Sequence, residues 1–246
     1  MAGVTFTRVF EAMKLFQNSA GCLIRRALWL GLVAIASGTF SSCAVVEGIS
    51  ARNARRVEAK RIAAQKAEAE QAHAAWRATP GWKSKIYRNP ALLSRANAEN
   101  ISIEIAISEQ RGLLLVEGCV AMDFPVATGK KSHPTPTGSY TIRGKEKDYQ
   151  SNLYGKIVDA TGTVIVSDAD TRRDVIPEGA TFDAAKMPYW MRLTDTGVGM
   201  HVGHVPGRPA SHGCIRLKRE VAVELFSLTK IGTPVVVAES APSLGR

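Results

Sequence analysis

The sequence predicts a mainly β domain, a sandwich or barrel with one or two short helices, preceded by a helical spacer. Three observations carry this. From residue 101 apolar side chains recur with period 2, the pattern of a strand with one covered face. Short strand-like runs with turn residues between them continue to residue 238 with one helix-like run among them, which disfavours alternating βαβ units. Residues 50–78, by contrast, are rich in Ala and charge and contain neither Gly nor Pro.

In chain order, residues 1–42 read as a signal peptide. An apolar stretch of 14 residues, 27–40, directly follows Arg25 and Arg26 and is followed by small residues. It is shorter than the roughly 20 residues of a membrane span. Met13-Lys14 offers a second start besides Met1. Phe40-Ser41-Ser42-Cys43 resembles a bacterial lipoprotein signal, which implies lipidation of Cys43 as the first mature residue. The expectation is export to the periplasm or cell envelope, with a lipid anchor as the membrane contact.

Residues 43–82 form the basic spacer. Within its residues 50–78 only Val57, Ile62 and Trp76 exceed Ala among the apolar residues, so no heptad seam runs along them and a solvated helix spanning about 40 Å is expected. Residues 83–99 connect it to the domain, residues 100–238, and 239–246 are a tail. Within the domain, Ile101, Ile103, Ile105 and Ile107 alternate with Ser102, Glu104 and Ala106, a half-buried strand. Runs 113–117 and 119–127 continue a meander, followed by short candidates at 139–143, 156–158, 163–167, 189–194, 198–202 and 234–238. The helix is expected at 218–230, with Val221, Ala222, Leu225, Phe226 and Leu228 along one side and Gly232 beyond its end.

Composition narrows the function classes. With 45% hydrophobic and 22% charged residues the chain is not wholly disordered. A formal charge of +10 points first to nucleic acid or an anionic surface. By segment, residues 1–42 carry +3, residues 43–99 carry +6 and residues 100–246 only +1. The domain therefore lacks the clustered basic face that phosphate binding needs, and no nucleic-acid partner is expected. Of four cysteines, Cys22 lies in the leader and Cys43 at the lipid site. Cys119 sits in an apolar run as a buried thiol, and Cys214 stands apart.

Histidine occurs five times, yet three fall within Met200-His201-Val202-Gly203-His204-Val205-Pro206-Gly207-Arg208-Pro209-Ala210-Ser211-His212-Gly213-Cys214-Ile215-Arg216-Leu217. A thiol with an ordinary pKa of about 8.5 is mostly protonated at neutral pH, and a neighbouring imidazole solves that problem for nucleophilic catalysis. Gly213 lets backbone N–H groups approach a substrate, as an oxyanion hole requires.

Ser211-His212-Gly213-Cys214-Ile215-Arg216-Leu217, with His201 upstream, resembles the signature of the bacterial L,D-transpeptidase catalytic domain family. The similarity runs over about residues 100–238. It takes in Thr128-Gly129-Lys130, Pro134-Thr135-Pro136-Thr137-Gly138 and Met187-Pro188-Tyr189-Trp190-Met191. The resemblance implies a β-sandwich-like catalytic domain, peptidoglycan stem peptides as substrate, Cys214 as nucleophile, and His201 as base and then acid. It places the Val202 carbonyl as the third element. Ser211, His212 and Gly213 would support the loop and the oxyanion, while Arg216, Tyr189 and Trp190 would contact substrate. No cofactor is implied.

Other readings stay beside it. His201, His204, His212 and Cys214 offer four zinc donors, and a non-catalytic wall-binding lipoprotein fits the leader. A papain-like protease is disfavoured, because there the Cys precedes a remote His, whereas here His201 precedes Cys214.

Overall fold

The computed structural model describes residues 52–244; the expected signal peptide 1–42 and the expected lipidation at Cys43 lie outside them. The chain divides into two compact units between Ala63 and Ala64. Residues 52–77 are helical (α1). In the first unit its side chains are exposed, with Arg61 and Glu58 paired at 2.9 Å.

In the second unit, a 3-10 turn at Trp82–Ser84 leads to β1 (Tyr87–Arg88) and α2 (Pro90–Leu93). The strands β2 (Ile101–Ala106), β3 (Arg111–Val116), β4 (Cys119–Ala127), β5 (Gly138–Thr141), β6 (Gly144–Val158), β7 (Val164–Asp170), β8 (Thr181–Arg192), β9 (Gly199–Val202) and β10 (Ile215–Leu217) follow. Helix α3 (Arg219–Leu228), β11 (Pro234–Ala238) and a 3-10 turn at Pro242–Leu244 complete it. The described strands form one sheet in the order β5-β11-β2-β3-β4-β10-β9-β8-β6-β7, with β1 added on β4. The fold is mainly β, and the expected α3 covers the core with Val221, Ala222 and Leu225.

Strand β2 departs from the half-buried expectation. Its isoleucines enter the main core as the alternation requires, but Glu104 and Ala106 are buried as well. The chain's last described turn explains this: Ser243 donates to Glu104 Oε2 through its N–H (3.0 Å) and its hydroxyl (2.8 Å), and Ala241 packs with Ala106, Leu113 and Leu115. A buried carboxylate tolerates that position because its oxygen is hydrogen-bonded.

The solvated-spacer expectation fails for the end of α1. Ala69 and His73 are buried and Trp76 and Arg77 are partly covered, a spacing of four, three and one that defines one helix face. The face was hidden in the sequence because its anchors are polar. His73 and Arg77 both donate to Asp123 of β4, at 2.8 and 2.9 Å. Arg111 of β3 donates to the other Asp123 oxygen at 2.7 Å and to the carbonyls of Lys83 and Lys85. Trp76, Trp82 and Tyr87 close over this cluster.

β6 and β8 are much longer than the short runs at 156–158 and 189–194 suggested, and β7 runs to Asp170, past the expected 163–167. β6 pairs with β8 from Gly144–Arg192 to Val158–Thr181, and β7 adds on the far side of β6. Together they make an arm. Most of its side chains are at least partly exposed on both faces, so no alternation marks the strands in the sequence.

Candidate active site

The site grows out of two short parallel strands. β10 lies beside β9 with Ile215 opposite Met200 and Arg216 opposite His201. Ile215, Leu217 and Met200 are fully buried in the core. Because side chains alternate along a strand, Cys214 and Arg216 face the other way, and His201 joins them from β9. This register sets the Cα atoms of His201 and Cys214 roughly 8 Å apart, close enough for the side chains to meet. A cavity of about 450 Å³ opens over that face, with the arm as its second wall.

His201 is 6% exposed, and its Nδ1 donates to the Val202 carbonyl at 2.9 Å. The bond fixes the tautomer and leaves Nε2 as the basic nitrogen. Burial pushes the ring down to about 4, against the pull of the Val202 bond and with the help of the Arg216 charge. Burial pushes the Cys214 thiol up, opposed by the Gly199 N–H and Arg216. The thiol hydrogen points to the Gly197 carbonyl at 3.6 Å. At rest the pair is therefore a neutral thiol and a neutral imidazole.

The loop before Cys214 is tied from three sides. Ser211 Oγ donates to the Cys214 carbonyl and accepts from the Gly213 N–H at 3.1 Å. Gly213 has φ 111, a conformation that favours glycine. Its carbonyl accepts from Thr135 Oγ1 at 2.8 Å, and the same hydroxyl accepts from the Gly129 N–H. The Pro-Thr-Pro-Thr-Gly segment thus holds the loop before Cys214 as well as turning the chain; only the threonine's isolation among prolines hinted at it. The engaged Gly213 N–H supports the loop and is not a free oxyanion donor. The Cys214 N–H, without a hydrogen bond among the described residues, is the available one.

Arg216 lies along the cavity with its stem against Gly203, where a Cβ would come within 2.8 Å of Arg216 Cγ. Among the described residues it has no ion pair. A half-buried guanidinium without a carboxylate suits an anionic group of a ligand.

Two expected substrate contacts fall elsewhere. Neither Tyr189 nor Trp190 lines this cavity. Tyr189, at φ 56, turns its ring onto Phe226 at 5.4 Å, and Trp190 is buried under Tyr149, the rings stacked at 3.9 Å. An aromatic pair on a strand has become packing. The zinc alternative is also corrected: among the described residues no three of His, Cys, Asp or Glu gather in a metal-binding arrangement. His204 lines the cavity, but His201 spends one nitrogen on Val202 and His212 one on Asp168.

Asp168 and Tyr154 on the arm were missed in the sequence. Asp168 Oδ1 accepts from His212 Nε2 and Oδ2 from Lys130 Nζ, both at 3.1 Å. Tyr154 stacks on His212 at 4.5 Å.

Residues 100–237 match the model of the YkuD family, the L,D-transpeptidase catalytic domain. A curated protein of Mycobacterium tuberculosis, "Probable L,D-transpeptidase 3", is 32% identical over 122 residues, 47% of this chain and 38% of its own length. Among solved structures, an L,D-transpeptidase from Mycobacterium smegmatis is 24% identical at a TM-score of 0.44, covering 56% of this chain and 58% of that one. L,D-transpeptidase 3 from Mycobacterium tuberculosis with a faropenem-derived adduct gives 24% and 0.44, covering 57% and 60%. The chain thus spans well under two thirds of each of these relatives. With more than half of its residues matched by one family model, it belongs to the L,D-transpeptidase catalytic domain family.

Proposed function

We propose that this chain is a peptidoglycan L,D-transpeptidase acting through a thioacyl-enzyme at Cys214. The observation that carries the proposal is the shared sheet face on which β9 and β10 present His201, Cys214 and Arg216 to one cavity. The donor is a stem tetrapeptide. His201 Nε2 takes the Cys214 proton as sulfur attacks the carbonyl at the L-centre to D-centre bond. The Cys214 N–H donates to the developing oxyanion. C–N cleavage follows, His201 returns the proton to the leaving amine, and D-alanine departs from a thioester. An amine on an acceptor then resolves the thioester, giving a cross-link or attachment of a protein to the wall. Arg216 holds a substrate carboxylate.

The test is incubation of the protein with purified tetrapeptide muropeptides and several amine acceptors, read by mass spectrometry beside Cys214→Ala. Wild type is expected to release D-alanine and form an acceptor product, and the variant neither. Cys214-independent products, or none with any acceptor, would refute the assignment; muropeptide binding without chemistry would indicate the wall-binding alternative.

Export and attachment of the chain through lipid at Cys43, in the periplasm or cell envelope, complete the proposal, with residues 43–99, which carry +6, beside anionic lipid or wall polymer. Cys43→Ser is expected to move the protein from the membrane to the soluble fraction; unchanged membrane fractionation would exclude the anchor.

A further inference from the structure

The cavity holds a second imidazole arranged like the first. His201 has Nδ1 pinned by the Val202 carbonyl; His212 has Nε2 pinned by Asp168 Oδ1. Each is left with one ring nitrogen that has no hydrogen bond among the described residues. The His212 ring is clamped, with Tyr154 stacked at 24° on one side and His133 edge-on at 4.8 Å. Tyr154 is itself held by Arg172, which donates to its hydroxyl at 2.8 Å. Asp168 is steadied by Lys130 on its second oxygen, so the carboxylate is divided between a lysine and the imidazole.

The two rings differ in position. His201 is buried at the base of the cavity on β9, while His212 is more open and sits where the arm meets the catalytic loop. We infer that Asp168 is a positioning residue for the second half-reaction, holding His212 as proton acceptor for the amine that resolves the thioester. The inference rests on the function proposed above and adds to it a division of labour between the two histidines.

A carboxylate on Nε2–H keeps that nitrogen protonated and leaves the lone pair on Nδ1. The neutral acceptor amine attacks the thioester carbonyl, and a C–N bond forms. The ammonium proton passes to His212 Nδ1, where Asp168 balances the imidazolium. The C–S bond breaks, and the Cys214 thiolate regains its proton from His212, so both groups return to their neutral state. Burial lowers His212, Asp168 opposes it, and Lys130 and His133 act in the same direction as burial.

The test measures two rates on the full-length protein: acylation of Cys214 by a carbapenem, and transfer from a tetrapeptide muropeptide to D-methionine as the amine. Asp168→Asn keeps an acceptor for His212 and removes the charge. It is expected to slow transfer about tenfold more than acylation. The acid limb of its transfer rate should move to lower pH, because the ring loses the charge that favours its protonated form. Asp168→Glu should recover most of the rate. Equal slowing of both rates, or an unmoved acid limb, would make Asp168 a structural tie of the arm and overturn the inference. Normal acylation with unchanged transfer would overturn it alone; absence of any Cys214-dependent acylation would overturn the proposed function along with it.

Discussion

His201→Asn is expected to slow acylation of Cys214 about a thousandfold at neutral pH, the scale of a lost general base. Asparagine can still donate to the Val202 carbonyl from nearly the position of Nδ1, so the substitution removes the basic nitrogen and spares the local bond. The Cys214 thiol is pushed up by burial and aims its hydrogen at Gly197, so it has no alternative route to thiolate near pH 7. Without His201, hydroxide must take the proton, and the variant's rate should keep rising about tenfold per pH unit into the alkaline range. Wild type, whose imidazole is neutral above about 4, should show no such steep dependence near neutrality. A folded variant within tenfold of wild type would remove His201 from the mechanism.

The same substitution has a stability signature. The folded-state ring titrates near 4, below its ordinary 6.5, so the unfolded chain binds this proton more readily. The stability involved is fully present above about 6.5 and is lost as pH falls towards 4. Lowering the ring from 6.5 to about 4 corresponds to about 3 kcal/mol, and His201→Asn should flatten that part of the acid-denaturation curve.

The second large effect lies away from the chemistry. Asp123→Ala is expected to destabilise the domain by about 3–5 kcal/mol, the cost of leaving buried charge without its partner. Asp123 is fully buried and receives His73, Arg77 and Arg111, and Arg111 is itself 1% exposed. Burial opposes ionisation of Asp123, but the His73 bond and the two guanidinium groups overcome it and hold the carboxyl below its ordinary range. That contribution is present above the unfolded-state pKa and lost as pH falls through the folded one. Chemical denaturation measures the loss, and limited proteolysis after residue 77 should become faster as the end of α1 releases. The double change Asp123→Leu with Arg111→Met should recover part of the stability, since it removes both fully buried charges and leaves Arg77 its pairing with Glu109. A loss below 1 kcal/mol for Asp123→Ala would show that water compensates the cluster.

The chain's local chemistry was legible without coordinates where it repeats or clusters. Alternating isoleucines at 101–107 marked β2, the apolar side of 218–230 marked α3, and the motif around Cys214 marked the family and the candidate site. Polar anchors were not legible, because their value depends on partners distant in sequence. His73 and Arg77 read as solvated helix residues until Asp123, some fifty positions later, receives them. Tyr189 and Trp190 read as cleft walls until Phe226 and Tyr149 cover them. The arm gave no hydrophobic period, being exposed on both faces, so Asp168 and Tyr154 carried no signal of reaching His212. The sequence by itself determined the mainly β class and the family, and it pointed to Cys214 and His201 as the candidate thiol and imidazole. The tertiary structure decided which groups share a face: alternation assigns sides only along one strand, and the parallel register of β9 on β10 is what brings His201 to Cys214 and Arg216.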